Sequence, residues 1–258
     1  MNKENLLNRL VAAGLLLVLL PLGLASAVNA EDTDAALAER IVEAADRIRF
    51  PQEDFEVQVL ITSTAPQRTP EVREFEILSK GNENTIVRTT APPAERGQIL
   101  LMRGRDLWVY MPNLSQPIRL PLAQRLTGQV ANGDLARANF TGDYHPTLLR
   151  IEDVDGEAHY VLELNAVDRG VTYHRVLYWV HKETFRPHKA EFHAVSGRLL
   201  KTAFYEGYQE MLGIERPSRL IMVDAVNEGD RSVLEYSGLK LRDLPSRMFH
   251  REYLRRLR

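Results

Sequence analysis

The sequence contains no cysteine. That absence excludes disulfides, thiol chemistry and the acylated cysteine of a bacterial lipoprotein, so the core must be stable by packing alone. Neither sign of charge dominates: 33 Lys+Arg stand against 35 Asp+Glu, a formal net charge of −2. Nothing in that balance suggests a nucleic-acid partner, and none is expected. No second apolar span follows the one at the N-terminus. The chain has no GxSxG, no HExxH and no glycine-rich phosphate loop between a strand and a helix. No internal repeat or low-complexity linker is present. The reading is therefore of a non-enzyme with no cofactor and no metal.

What is present begins with MNKENLLNRLVAAGLLLVLLPLGLASAVNAEDTD. Lys3 and Arg9 precede an apolar run from Leu10 to Leu24, interrupted by Pro21, and small residues lead to Ala30. This order predicts a secretory signal peptide over 1–30, cleaved after Ala30 or, as second choice, Ala27. The run is too short and too interrupted for a membrane span. Its removal takes the formal charge to −3, because Lys3, Arg9 and Glu4 leave with it. Residues 31–258 are enough for one domain with a substantial core. The expected location is an envelope space, the periplasm.

The next stretch, DTDAALAERIVEAADRIRFP, carries Leu37, Ile41, Val42, Ala45 and Ile48 at helical spacing, with Asp34 as N-cap and Pro51 as the stop. The period then changes to two. Phe55, Val57, Val59 and Ile61 alternate with polar residues, as in a half-buried strand. Further strands are expected near 72–79, 85–90, 97–103, 106–111, 148–153, 158–165, 172–181, 187–194, 199–207, 218–226 and 231–239. Gly81-Asn82, Gly104, Asp155-Gly156, Ser196-Gly197 and Glu228-Gly229 mark turns between them. Residues 120–146 break the rhythm, with helix-like pieces and three glycines. A long irregular connection of this kind is often functional. Ser246 is a plausible cap for a final helix with Phe249, Tyr253 and Leu257 on one face, and Arg251, Arg255, Arg256 and Arg258 on the other. The pattern predicts an α+β fold: a curved antiparallel sheet of about eleven strands with helices over its concave face.

Four histidines fall between His174 and His193, but His174 and His181 differ by an odd number and face opposite sides of a strand. They read as scattered surface residues. Asp153-Val154-Asp155-Gly156 has the look of a calcium loop, but His159 and Val161 occupy the downstream ligand positions, so it reads as a turn.

Several segments in order are similar to one family. The helix DAALAERIVEAADRI leads into DFEVQVLI. The hairpin GQILLMRGRDLWVYMPNLSQPIRL holds a Leu-Trp-x-Tyr-x-Pro pattern at 107–112. GDLARANF and then YHRVLYWVHKETFRPHKAEFHAVSGRLLKTAFYEGY follow. Together they resemble the outer-membrane lipoprotein-sorting proteins, the LolA-like periplasmic carriers, over most of residues 31–258. That resemblance implies an incomplete barrel closed by helices, with a cavity for the acyl chains of lipoproteins or lipids. It implies an inner-membrane transporter and an outer-membrane acceptor as partners of a monomer. The runner-up is a structural or adapter subunit of an envelope transport complex. The family's Arg-Pro pair after the second strand is missing, since ILSKGNENTI has Lys80 and no proline there.

On this reading Phe55, Val57, Val59 and Ile61 line the cavity, with Leu101 and Val109 from the hairpin. Leu162, Leu164 and Phe192 join from later strands, and Leu126, Leu135 and Phe140 from the irregular segment. Trp108 and Tyr110 hold the parity opposite to Leu107, Val109 and Met111, which places the two aromatics on the outer face or rim.

Overall fold

The computed structural model describes residues 30–137 and 139–256. The expected signal peptide lies, apart from Ala30, outside the described residues. Helix α1 (Ala30–Arg49) starts four residues before the cap expected at Asp34. Six strands follow: β1 (Phe55–Thr64), β2 (Glu71–Lys80), β3 (Asn84–Ala91), β4 (Ile99–Arg103), β5 (Asp106–Tyr110) and β6 (Ile118–Leu120). The irregular segment holds β7 (Arg125–Thr127), β8 (Val130–Ala131) and the one-turn helix α2 (Asn132–Ala136). The chain then runs through β9 (Tyr144–Val154), β10 (Glu157–Ala166), β11 (Arg175–His181), β12 (Pro187–His193), β13 (Leu199–Met211), β14 (Ile214–Asp224) and β15 (Arg231–Leu241).

Thirteen strands form one sheet in the order β6-β5-β4-β3-β2-β1-β15-β14-β13-β12-β11-β10-β9, and β7 and β8 pair separately. Two meanders are thus joined by one long-range antiparallel pairing, β1 with β15, registered from Phe55 opposite Leu241 to Thr64 opposite Arg231. The protein is mostly β, and the expected count of about eleven strands is corrected to thirteen plus a two-strand ribbon. β6, β7 and β8 have three, three and two residues, too few to display a period. The turn reading of Asp155-Gly156 holds: both residues have positive φ (56° and 87°), as a two-residue hairpin turn of the primed type requires.

The sheet curls far enough to bring distant strands together. β4 and β9 are ten places apart in the order, which in a flat sheet would be about 50 Å. Yet Arg105, in the β4–β5 turn, lies 3.0 Å from Asp143, which immediately precedes β9, and 2.8 Å from Asp168, which follows β10. The sheet remains open between β6 and β9. Its inner face carries the main hydrophobic core, including Ile41 and Ala45 of α1, Phe55 to Ile61 in β1, and Leu162, Tyr178, Phe192 and Leu234 from the second meander.

One arm of the sheet is buried on both faces. Leu78, Ile86, Ile99, Leu101 and Tyr110 form a second core with Leu244, Phe249 and Leu254. The C-terminal part is therefore not an amphipathic helix over the cavity. It is two 3-10 turns, Ser246–Phe249 and Arg251–Arg256, on the outer face of β3 and β4. Trp108 and Tyr110 do face outward, but beneath this segment: Tyr110 is 1% exposed, and the Arg251 guanidinium sits 5.3 Å over the Trp108 ring. Two-sided burial explains the run Ile99-Leu100-Leu101-Met102, which shows no alternation and is buried throughout. Phe249→Ala should lower unfolding free energy by about 3 kcal/mol in urea titration, while leaving the inner face undisturbed.

Candidate functional site: a lidded interior

The inner face becomes a site because of what covers it. Helix α1 crosses above β9, β12 and β14. The segment 121–143 covers the rest, with α2 against β3 and β4. This segment buries Leu122, Val130, Leu135 and Phe140 in the inner core, and discrete polar contacts fix its position.

At its first end, the β7–β8 turn comes so close to the sheet that a Cβ on Gly128 would collide with the Ser63 and Ser232 hydroxyls. Those two hydroxyls are 2.8 Å apart, and Gln129 N donates to Ser232 Oγ at 2.9 Å. In the middle, Asp134 of α2 accepts from Lys201 Nζ at 2.9 Å and from the Tyr173 hydroxyl at 2.8 Å. Lys201 also donates to the carbonyl of Gln129 and lies 4.9 Å over the Tyr173 ring. Burial, helped by the neighbouring Asp134 carboxylate, holds the Tyr173 hydroxyl well above its ordinary pKa, so it stays a donor. Gly133 packs so tightly that a Cβ there would strike Thr172.

Toward the far end, Asp46 in the last turn of α1 accepts from Phe140 N (2.9 Å), Thr141 N (2.8 Å) and Thr141 Oγ1 (2.7 Å). Finally Asp143 is shared by Arg137 and Arg105 at 2.7 and 3.0 Å. Arg216 caps the end of α1, donating to the carbonyls of Arg47 (2.5 Å) and Ile48 (3.1 Å).

Beneath the cover the interior is nearly full. One cavity of about 30 Å³ is bordered by Arg49, Asp134, Phe140, Tyr144, Tyr173, Phe192 and Tyr205 among others. A second of about 10 Å³ lies among Phe50, Phe55, Val57, Ile77, Leu135 and Tyr236. Outside the cover, an open polar groove of about 1080 Å³ runs between α1, the β2–β3 and β4–β5 turns and the cover itself. Arg137 and Asn139 border both the groove and the larger inner cavity, so the groove and the interior meet at this point of the cover.

The residues expected to line a cavity divide into groups. Phe55, Val57, Val59, Ile61, Val109, Leu135, Phe140, Leu162, Leu164 and Phe192 all lie in the inner core, and Leu126 packs half-buried against it. Of these, Phe55, Val57, Leu135, Phe140 and Phe192 border one of the two inner cavities. Leu101 is a correction. It pairs with Trp108, whereas Leu100 pairs with Val109, so Leu101 points outward into the second core. Odd and even positions exchange faces across a hairpin according to register, and two residues from different strands cannot share a face by being apolar alone.

Sequence reasoning missed the polar members of the interior, Arg49, Asp134, Tyr173, Tyr178, Tyr205 and Lys201. Arg49 offered a signal, since it directly follows Ile48 at the end of the apolar stripe. Tyr178, Lys201 and Tyr205 were hidden in strand alternation, and Asp134 and Tyr173 lie in α2 and in the β10–β11 connection. The histidines also differ from the expected scatter. His159, His181 and His188 come together on the adjacent strands β10, β11 and β12, with ring centroids 5.3 and 4.9 Å apart. Among the described residues no three His, Cys, Asp or Glu side chains are set to share a metal.

The comparisons with known proteins agree with this geometry. A family model described only as an uncharacterized protein matches residues 81–256. No curated protein matches the sequence. Among solved structures, the LolA superfamily protein NE2245 from Nitrosomonas europaea is 60% identical, with a TM-score of 0.81, over 84% of this chain and 98% of that one. A DUF1329 family protein from Desulfovibrio piger is 21% identical, with a TM-score of 0.74, over 86% and 99%. A domain named for outer membrane lipoprotein sorting, from Vibrio parahaemolyticus, is also 21% identical, with a TM-score of 0.73, over 85% and 99%. The last two show the fold. The curled open sheet, the covering segment and the 60% identity together place the chain in one family: it belongs to the LolA superfamily.

Proposed function

We propose that this protein is a periplasmic carrier. It takes an acyl chain of a lipoprotein or lipid into the interior beneath segment 121–143 and moves it toward the outer membrane. The observation that carries this reading is the mode of attachment of the cover. An apolar inner face is closed by a segment that rests on it through Leu122, Val130, Leu135 and Phe140 and whose position is set by Asp46, Asp134, Asp143 and the Ser63–Ser232 pair. Polar contacts of this kind are geometrically exacting and give little net stability, because each costs desolvation. They suit a cover that leaves and returns as a unit.

The energetics favour such a ligand. Each buried methylene contributes about 0.8 kcal/mol, so a chain of about fourteen carbons gains roughly 10 kcal/mol before the costs of binding and of opening. A cavity of about 30 Å³ has room for water but not for an alkyl chain of this length. Cargo therefore enters only with displacement of the cover, and the filled state is the empty carrier closed on itself. The filled interior is also the one observation favouring the second reading, an adapter subunit of an envelope transport complex that uses the same fold without cargo.

Solvent extraction of gently purified protein, followed by mass spectrometry, separates the two. The carrier yields stoichiometric acyl lipid or lipopeptide and takes up a fluorescent fatty acid; absence of both results supports the adapter. Val57→Glu, on the inner face, should reduce uptake at least tenfold, whereas Gln58→Glu, of opposite parity, should leave it within twofold. Lys201→Met leaves Asp134 buried without its cation. It should speed amide exchange across 130–136 by about tenfold or more, with strands β13 and β14 unchanged, as read by hydrogen–deuterium exchange.

A further inference from the structure

Arg49 is the interior group whose surroundings least match its chemistry. It ends α1, and its side chain is 10% exposed. A guanidinium carries five N–H donors in a fixed fork. Among the described residues it makes one hydrogen bond, from Nη1 to Asp46 Oδ1 at 3.3 Å. Asp46 is itself committed to Phe140 and Thr141, from which it accepts three donors. Arg49 borders the 30 Å³ inner cavity.

The walls there are aromatic. The guanidinium carbon lies 4.5 Å from the Phe140 ring centroid and 5.6 Å from that of Tyr205. Tyr178 stands edge-on to Phe140 at 5.1 Å and packs against Tyr205 at 6.1 Å. Its hydroxyl is buried without a hydrogen-bond partner. Cation–π contact and the ion pair with Asp46 stabilise the charge in part, but they leave the guanidinium fork with only one hydrogen bond and the Tyr178 hydroxyl buried without an acceptor, which is costly. A guanidinium on α1 that borders the cavity and a tyrosine hydroxyl on β11 flank the same aromatic ring, a setting that suits one acceptor-rich group.

We propose that Arg49, with Tyr178, is the receptor for an oxyanion, a carboxylate or phosphate, borne by the acyl cargo. The inference rests on the carrier reading and narrows its cargo. Acyl groups linked as esters or amides present neutral carbonyls, which accept hydrogen bonds but do not balance a guanidinium. A carboxylate or phosphate accepts from the fork bidentately, in the stronger charge-assisted geometry. Acid-headed lipids are thus preferred to neutral ones of equal chain length.

The test compares dodecanoate, dodecyl phosphate and dodecanol below their critical micelle concentrations, by calorimetry on the full chain, with acetate and inorganic phosphate as chain-free controls. The expected result is that an acid-headed ligand binds about tenfold or more tightly than the alcohol, that acetate and phosphate bind negligibly, and that Arg49→Met removes the preference while leaving alcohol affinity within twofold. Tyr178→Phe, a smaller change, should reduce the preference about threefold, and it decides the matter if Arg49→Met does not fold. Equal affinity of acid and alcohol for the unaltered protein overturns this inference and leaves the carrier standing. A preference that survives Arg49→Met, or Tyr178→Phe in its place, overturns the assignment to this site. Tight binding of acetate or phosphate alone overturns the link to lipid. Failure of all three chain-bearing probes to bind overturns the carrier reading itself.

Discussion

Everything in this protein depends on how far one antiparallel sheet curls. Strand twist accumulates across thirteen strands, and the product is a surface on which Arg105 meets Asp143 and Asp168, joining parts that a flat sheet would hold far apart. Curling gives the sheet an inside. Alternation then fills that inside with apolar side chains, and the gap between β6 and β9 leaves it without closure by strands. A helix and an irregular segment complete the enclosure because no further strand is there to do so.

The two covers of the sheet follow different physics. Outside, the C-terminal turns are fastened by Leu244, Phe249 and Leu254 in a dry cluster. Burial of this sort is non-directional and adds up with area, so it makes a permanent attachment. Inside, the cover also buries apolar side chains, Leu135 and Phe140 among them, but it is pinned in addition by carboxylates at defined points, each meeting backbone N–H groups, a lysine or arginines. Such pairs specify one position and little else. Lys80, at the end of β2, pairs with Asp54 at 2.6 Å. The buried charges that hold the cover come from α1, from α2 and from β13. The burial of Arg49 among aromatic rings belongs to the same set, and it is the member with donors to spare.

How much of this was legible in the sequence varied with the length of the element. Long strands announced themselves: Phe55 to Ile61 alternates cleanly, and its inward face is the one expected. The three short strands could not, because two or three residues define no period. The parity argument on DLWVYMP was sound within its own strand, as the outward Trp108 and Tyr110 demonstrate, yet it failed between strands for Leu101. Face assignment within a strand is local. Face assignment between strands needs the register, which the turn at Gly104 sets and composition does not.

The sequence by itself determined the class of structure and its exclusions. Period two with closely spaced turns requires an antiparallel meander, and the lack of cysteine requires a core made by packing. The order of its segments was enough to show a resemblance to the LolA-like carriers. Only the tertiary structure decided which apolar residues border a void, that the C-terminal turns cover the outer face, and that Asp46, Asp134 and Arg49 stand inside. The reason is one of range. Periodicity reports contacts between near neighbours in the chain, whereas Asp46 meets Thr141 and Asp134 meets Lys201 across 95 and 67 residues, through a curl that no local pattern records.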